Sequence, residues 1–131
     1  MDDACPFCFA ESASPDRELP SNELAYIRLD GFPVSPGHLL IVPKRHAADW
    51  FDLTAEEQKA VMVLVEEGKR WLEVNYQPDG FNIGMNCGEA AGQTVMHMHC
   101  HLIPRYQGDL EDPRGGVRWV IPGKADYWSN R

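Results

Sequence analysis

Three histidines alternate with apolar residues late in the chain, at His97, His99 and His101. Successive side chains of a β-strand point to opposite faces, so a strand here would place all three imidazoles on one face, ~6.6 Å apart. Imidazole has an unperturbed pKa of ~6.5 and exchanges protons near neutral pH. The pattern indicates proton transfer or nucleophilic attack. The alternative is a strand that is merely rich in histidine, although the whole chain has only five.

A second set of reactive groups lies near the N-terminus, where two residues separate Cys5 from Cys8. This spacing is typical of a pair that binds one metal ion, and zinc takes four nitrogen or sulfur ligands. Four cysteines are few for a disulfide framework, and Cys87 and Cys100 are better explained as small, partly buried residues. The alternative for the pair is two unliganded thiols.

The composition is that of an ordinary globular domain: 131 residues, 44% hydrophobic and 24% charged. A net charge of −8 argues against a surface that binds nucleic acid. The sequence shows neither an apolar run long enough for a membrane span nor a signal-peptide pattern. We therefore expect a cytoplasmic protein without a nucleic-acid or membrane partner.

The elements that must position these groups form an α+β pattern. Thr54 and Glu57 form a capping box, and apolar residues at helical spacing follow, which predicts one long helix from Thr54 to about Tyr76. Alternating or continuous apolar runs predict strands over residues 24–30, 38–42, 81–86, 93–103 and 117–121.

The predicted fold is an antiparallel β-sheet with one principal α-helix packed on it. Residues 1–23 form an irregular N-terminal arm, and residues 106–131 form a C-terminal tail. The arm, sheet, helix and tail together make a single domain over residues 1–131.

Taken together, these residues resemble the histidine-triad (HIT) family of nucleotide hydrolases. The run from His97 to Ile103 looks like the family's triad motif, and residues 36–44, 92–95 and 104–105 match flanking family segments in the same order. The resemblance implies nucleotidyl transfer, in which a bond at the α-phosphate is hydrolysed through a nucleotidyl-histidine intermediate. The loop before the triad looks closer to the fragile-histidine-triad type, which cleaves dinucleoside polyphosphates, than to the branch that cleaves nucleoside phosphoramidates.

The resemblance also implies roles for individual residues. His99 would be the nucleophile, and His101 would bind the phosphate oxygens. His38 would sit nearby and help to orient the nucleophilic apparatus. Four further polar positions would surround the substrate: Asp30 at the ribose hydroxyls, Asn86 at the phosphate, and Gln93 and Thr94 at the phosphate or bridging oxygen. The alternatives are a core histidine at position 38 and turn residues at the loop positions. Arg28 departs from the family pattern, which usually has an apolar residue against the base.

Many bacterial HIT proteins carry a similar cysteine pair, and by that resemblance His46 and His97 would complete a structural zinc site with Cys5 and Cys8. No organic cofactor is implied. The family forms homodimers, and the apolar residues Met62, Trp71 and Val74 lie outside the main stripe of the predicted helix. Two other functions remain open: a nucleotide-binding regulator with little turnover, and a zinc-stabilised interaction module in which every histidine is structural.

Overall fold

The computed structural model describes residues 5–8 and 19–129. Four strands form one antiparallel sheet in the order β1-β2-β4-β3, with bounds β1 (Ala25–Leu29), β2 (Leu39–Pro43), β3 (Gly80–Gly84) and β4 (Cys100–Arg105). One long helix, α1 (Ala55–Asn75), packs against β1, β2 and β4. The predicted α+β fold is confirmed. Residues 1–4 and 9–18 of the predicted arm, and residues 130–131 of the predicted tail, lie outside the described residues.

Helix α1 begins where the sequence predicts. The Thr54 hydroxyl accepts a hydrogen bond from the Glu57 N–H, and the Glu57 carboxylate accepts one from the Thr54 N–H, which completes the capping box. Its buried stripe consists of Glu57, Val61, Leu64, Gly68 and Leu72. Gly68 allows the closest approach to the sheet, because a Cβ there would lie 3.1 Å from the Leu102 side chain.

The two faces of the sheet have different surroundings because strand side chains alternate. The helix-side face contributes the main core, which includes Ile27, Leu39, Ile41 and Leu102. The opposite face carries a smaller cluster of Phe7, Tyr26, Leu40 and Val42. Leu40 pairs directly with His101 across β2 and β4. We call this second surface the histidine face.

The prediction that one strand carries all three histidines is wrong. Strand β4 begins at Cys100, so only His101 lies on it, and His97 and His99 precede it in an irregular segment. The Met98 N–H donates to the Ala47 carbonyl at 2.7 Å, which draws this segment toward the exit of β2. The predicted alternation nevertheless holds, because Met98 and Cys100 are both buried in the main core.

The predicted strand over residues 117–121 is also wrong. Gly116–Val120 is a 3-10 helix, in which the Arg118 N–H donates to the Gly115 carbonyl and the Ile121 N–H to the Arg118 carbonyl. Gly115 has a φ of +96°, a conformation that favours glycine and turns the chain into this helix. The apolar residues of the segment therefore pack locally and add no strand to the sheet.

The outer side of helix α1 carries exposed apolar residues, but Trp71, which the sequence also places outside the stripe, packs against the main core. Met62 is 43% exposed and Val74 is 75% exposed. The two-fold homodimer stays a prediction, and these exposed side chains favour it because apolar patches often mark interfaces. No helical segment in the described part of the chain combines the length and apolar character that a bilayer crossing requires.

Glu57 provides a test of how the helix is anchored. Its carboxylate accepts hydrogen bonds from the Arg45 guanidinium at 2.8 and 2.9 Å, and these bonds lower the pKa of Glu57 to about 2. A lowered folded-state pKa means that the stabilisation is complete above the ordinary pKa of 4.5 and is lost as the pH falls toward 2. Urea unfolding should show that Glu57→Gln costs about 2 kcal/mol at pH 7 and less at pH 3.5.

The control is Glu66→Gln on the solvent side of the same helix, where the nearest Arg70 nitrogen is 3.8 Å away and both side chains are exposed. This variant should change the unfolding free energy little at either pH. A Glu57→Gln effect that is equally small at pH 7 would contradict the anchoring role.

Candidate active site

One ring nitrogen of His99 is bound by the backbone on the histidine face. Its Nδ1 lies 2.9 Å from the His97 carbonyl, which can only accept, so Nδ1 carries the proton. Neutral imidazole then has its lone pair on Nε2. The half-buried ring packs against Phe7, at 4.8 Å between centroids, and against His101, at 5.3 Å. This arrangement leaves Nε2 available as a nucleophile or base.

His38 and His101 form a hydrogen-bonded pair beside His99. The Val34 N–H donates to Nδ1 of His38 at 3.1 Å, so neutral His38 carries its proton on Nε2. That nitrogen lies 2.9 Å from Nδ1 of His101 and 3.3 Å from the Asp30 carboxylate. His101 accepts at Nδ1 and therefore presents an Nε2–H group as a donor. The chain of bonds fixes both tautomers.

Burial is the main reason that this pair is neutral. It lowers the pKa of His38, and Asp30 opposes the effect only in part. Burial also lowers the pKa of His101 to about 4, with further contributions from the positive charges that His99 and His38 would carry. At pH 7 the His101 ring is therefore an uncharged donor. Asp30, His38 and His101 also lie within metal-binding distance of one another, but the proton on Nε2 of His38 makes them a poor ligand set.

Cys5, Cys8, His46 and His97 converge at a second point, as the sequence predicts. One ligand atom from each lies within 4.8 Å of all the others. Nδ1 of His97 is 3.4 Å from the Cys5 sulfur and 3.2 Å from Nδ1 of His46, which is 3.2 Å from the Cys8 sulfur. A tetrahedral zinc with sulfur and nitrogen ligands has ligand-to-ligand edges of about 3.3 to 3.8 Å. The donor set is therefore suited to zinc.

Fully buried His97 is oriented toward this cluster by the backbone. Its Nε2 lies 2.8 Å from the Pro43 carbonyl, so Nε2 carries the proton and Nδ1 offers its lone pair to the cluster. Burial lowers the pKa of His97, which keeps the ring neutral. The two outer histidines of the triad thus differ in their contacts: His97 belongs to the cysteine cluster and His101 to the pair with His38.

The turn of residues 5–8, here called the cysteine turn, brings Phe7 to the histidine face. The Phe7 carbonyl accepts from the Tyr26 hydroxyl at 2.8 Å, and the Arg28 guanidinium donates to the Pro6 carbonyl and lies over the Phe7 ring. These two contacts explain why position 28 carries an arginine rather than an apolar residue: the side chain holds the cysteine turn in place. Sequence reasoning missed Phe7, although its position between two predicted ligands was a signal that it would lie near His97 and His99.

The loop before the triad is organised by Gln93, which is buried. Its side-chain oxygen accepts from the Gly88 N–H, and its side-chain nitrogen donates to the Ala48 and Val95 carbonyls. Both amide hydrogens and the oxygen are therefore engaged by the backbone. In this structure Gln93 holds the loop, and donation of a hydrogen bond from its side-chain nitrogen to a substrate oxygen would require one of these bonds to break. Thr94 and Asn86 are exposed.

An open cleft of about 720 Å³ extends from the histidine pair toward the C-terminal tail. We call it the tail cleft. It is lined at one end by His38, Asn86 and His101, and at the other by Val117, Trp119 and Val120. Its size is within the range of small-molecule sites. Sequence reasoning placed Asn86 near the phosphate but did not anticipate that the tail forms a wall of the site.

The sequence model of the HIT domain matches residues 11–108, well over half of the chain. The chain belongs to the HIT family. Among solved structures, a HIT family protein from Bacillus anthracis is 40% identical with a TM-score of 0.65, covering 69% of this chain and 64% of that one.

Two curated relatives of this HIT protein have named activities. AP-4-A phosphorylase from Mycobacterium tuberculosis is 34% identical, with 79% of this chain and 60% of that protein covered. Bis(5'-adenosyl)-triphosphatase from Saccharomyces cerevisiae is 30% identical, with 94% of this chain and 57% of that protein covered. The chain thus spans about three fifths of the length of each enzyme.

The cysteine cluster predicts measurable metal dependence. Protein purified without chelators should contain about one zinc per chain by elemental analysis. Replacing Cys5 and Cys8 together by serine should abolish zinc binding and lower the melting temperature, because the metal would crosslink the cysteine turn to residues 46 and 97. Cys87→Ser is the matched control and should leave both the zinc content and the melting temperature unchanged. Metal-free wild-type protein with the same melting temperature as the zinc-containing form would contradict the structural role.

Proposed function

We propose that this HIT protein is a nucleotide hydrolase that cleaves dinucleoside polyphosphates at the α-phosphate through a nucleotidyl-histidine intermediate. The observation that carries the proposal is the bond from Nδ1 of His99 to the His97 carbonyl, which leaves Nε2 as a directed nucleophile. The two relatives named for reactions of adenylated dinucleotides support the substrate class.

In the first step, Nε2 of His99 attacks the α-phosphorus. A nitrogen–phosphorus bond forms, the bond to the bridging oxygen breaks, and its electron pair leaves with the polyphosphate. In the second step, water attacks the same phosphorus, the nitrogen–phosphorus bond breaks, and the electron pair returns to Nε2. The attacking oxygen keeps one proton of the water in the nucleoside monophosphate, and the other proton is released to solvent. Two displacements in sequence retain the configuration at phosphorus.

The remaining residues of the site bind and orient. His101 donates from Nε2 to a phosphate oxygen, where negative charge develops, and His38 holds His101 in that tautomer. Asp30 offers a carboxylate to the ribose hydroxyls. Asn86 and Thr94 lie on the phosphate side, and Gln93 acts on the bridging oxygen through the loop that it holds together.

We propose that Cys5, Cys8, His46 and His97 hold a structural zinc. When bound, the metal supplies a crosslink between the cysteine turn and the segments that follow β2 and precede β4. The chain's own contribution is to orient His97 through the Pro43 carbonyl. We also propose that residues 1–131 form one domain and that the protein is a two-fold homodimer in the cytoplasm. The exposed apolar side of helix α1 supports the dimer.

The covalent step gives the sharpest test. His99→Ala should lower kcat for diadenosine tetraphosphate by about three orders of magnitude or more, because the nucleophile is removed. Nucleotide affinity, measured by calorimetry, should change little because no binding group is lost. Rapid quench of the wild type with a labelled substrate should trap an acid-labile adenylyl group on His99. Near-normal turnover by His99→Ala, or inversion of configuration at phosphorus, would refute the mechanism.

The substrate branch is tested separately, because a nucleoside phosphoramidate hydrolase of the same family is the second candidate. The tail cleft favours the dinucleoside polyphosphate, because its leaving group is a nucleoside polyphosphate that could occupy a space of this size. The leaving group of adenosine 5'-phosphoramidate is ammonia, which is far smaller than the cleft. We expect kcat/KM for diadenosine tetraphosphate to exceed that for adenosine 5'-phosphoramidate. The reverse order would assign the protein to the second candidate and leave the chemistry at His99 unchanged.

A further inference from the structure

The tail is a folded segment whose shape is set by its own polar contacts. The Trp119 indole N–H donates to the Arg114 carbonyl at 2.8 Å. The Arg118 guanidinium donates to the carbonyls of Ala125 at 3.1 Å and Lys124 at 2.6 Å. Because these bonds close the segment on itself, its apolar side chains are held in fixed directions.

The tail is attached to the sheet beside the histidines. Arg105, at the end of β4, donates to Asp109 through two nitrogens, at 2.8 and 2.9 Å, and to the Asn82 side chain on β3 at 2.7 Å. Strand alternation puts Asn82 and Gly84 on the histidine face, and Gly84 is the direct partner of His101. The absence of a side chain at Gly84 leaves the path from His101 to the tail open.

The wall that the tail presents is apolar and exposed. Val117 is 65% exposed, Val120 is 74% exposed, and Trp119 is 46% exposed. All three line the tail cleft. Clustered apolar side chains that face an open cleft of this size mark a binding surface more often than a free one.

The charges of the cleft indicate what it binds. Its two permanently charged lining groups, Arg105 and Asp109, are bound to each other. The far end of the cleft therefore offers no free cation to a phosphate chain. An uncharged, flat and largely apolar group suits this end, and a nucleobase has those properties because it can stack on an indole ring whatever its identity.

The position of the cleft relative to His99 decides which nucleoside would occupy it. His101 lies between His99 and His38, with ring centroids 5.3 and 5.1 Å away. The cleft is lined by His101 and His38, and His99 is not among its lining residues. In-line displacement requires the leaving group to lie on the side of phosphorus opposite the nucleophile. Asp30, which we propose binds the ribose of the transferred nucleotide, does not line the cleft either. The nucleoside that suits the cleft is therefore the one on the leaving group.

We propose that the tail cleft binds the nucleoside of the leaving group and that Val117, Trp119 and Val120 determine the preference for substrates with a second nucleoside. This inference rests on the proposed hydrolysis and adds the site that selects the leaving group. It implies little discrimination between bases in that position, since stacking is tolerant of base identity.

The experiment compares two substrates that share the scissile bond. Diadenosine tetraphosphate carries a leaving nucleoside, and adenosine 5'-tetraphosphate does not. The variant Val117→Ala with Val120→Ala removes exposed apolar groups from the wall and leaves the bonds of Trp119 and Arg118 intact. Ile121→Ala is the matched control, because Ile121 is a 59% exposed tail residue that does not line the cleft. Trp119→Phe keeps an aromatic surface and serves as a conservative variant.

We expect the double variant to lose about tenfold in kcat/KM for diadenosine tetraphosphate, which is the usual effect of trimming an apolar pocket. For adenosine 5'-tetraphosphate the change should be less than twofold. Ile121→Ala should change neither value, and Trp119→Phe should lose less than the double variant. Equal losses on the two substrates, or no loss on either, would overturn the inference.

A binding measurement tests this inference independently of the proposed hydrolysis. Calorimetry with a non-hydrolysable, methylene-bridged analogue of diadenosine tetraphosphate and with AMP does not depend on turnover. The double variant should bind the analogue about tenfold more weakly and AMP with unchanged affinity. If the wild type hydrolyses neither substrate, the proposed function fails and this measurement still decides the inference. Unchanged affinity for the analogue would refute the tail cleft as a nucleoside site.

Discussion

Each imidazole of the histidine face has one ring nitrogen bound by a neighbouring group, and the chemistry of the site depends on this constraint. The backbone binds His97 at Nε2, His99 at Nδ1 and His38 at Nδ1. His101 is then fixed by His38. A free imidazole interconverts between tautomers and presents either nitrogen, but these rings cannot do so without losing a hydrogen bond in a largely buried setting. The result is four rings in three arrangements: His97 offers Nδ1 to the cysteine cluster, His99 leaves Nε2 without a backbone bond, and His38 and His101 form a hydrogen-bonded pair.

The constraint works because the sheet brings distant parts of the chain together. The carbonyl that orients His97 comes from Pro43 at the end of β2, and the N–H that orients His38 comes from the loop before that strand. The antiparallel pairing of β2 with β4 places Leu40 beside His101 and brings these backbone groups within reach. Helix α1 packs on the other face, against β1, β2 and β4. The core thus lies beneath the sheet, while the histidines come from strand ends and loops on its opposite face.

Much of this arrangement follows from the sequence, and the exceptions have physical causes. Period-two alternation predicts that Met98, Cys100 and Leu102 enter the core opposite the histidines, and they do. It cannot predict that the strand starts only at Cys100, because that depends on a tertiary bond from Met98 to Ala47. Residues 117–121 are apolar enough for a strand, but contacts within the tail set their conformation.

Arg28 is a second residue whose contacts could not be predicted from the sequence. On the sequence it only breaks the family pattern, since nothing in strand periodicity indicates what a guanidinium at that position contacts. In the fold it crosses to the cysteine turn, where it binds the Pro6 carbonyl and lies over the Phe7 ring. The cysteine spacing predicts a metal-binding pair and so indicates that Phe7 lies near the cluster, but it does not predict the edge-on packing of the Phe7 ring against His99.

The histidine face is therefore flanked by the cysteine turn on one side and the tail on the other. The cysteine turn covers it over β1 and β2, and the tail covers it over β3. An arginine contributes to each attachment, Arg28 at the cysteine turn and Arg105 at the tail, and both lie outside the packing between the sheet and helix α1. The family match ends at residue 108, just before most of the tail. The proposed reaction at His99 therefore belongs to the part of the fold that the family shares, whereas the proposed choice of leaving group belongs to the tail beyond residue 108.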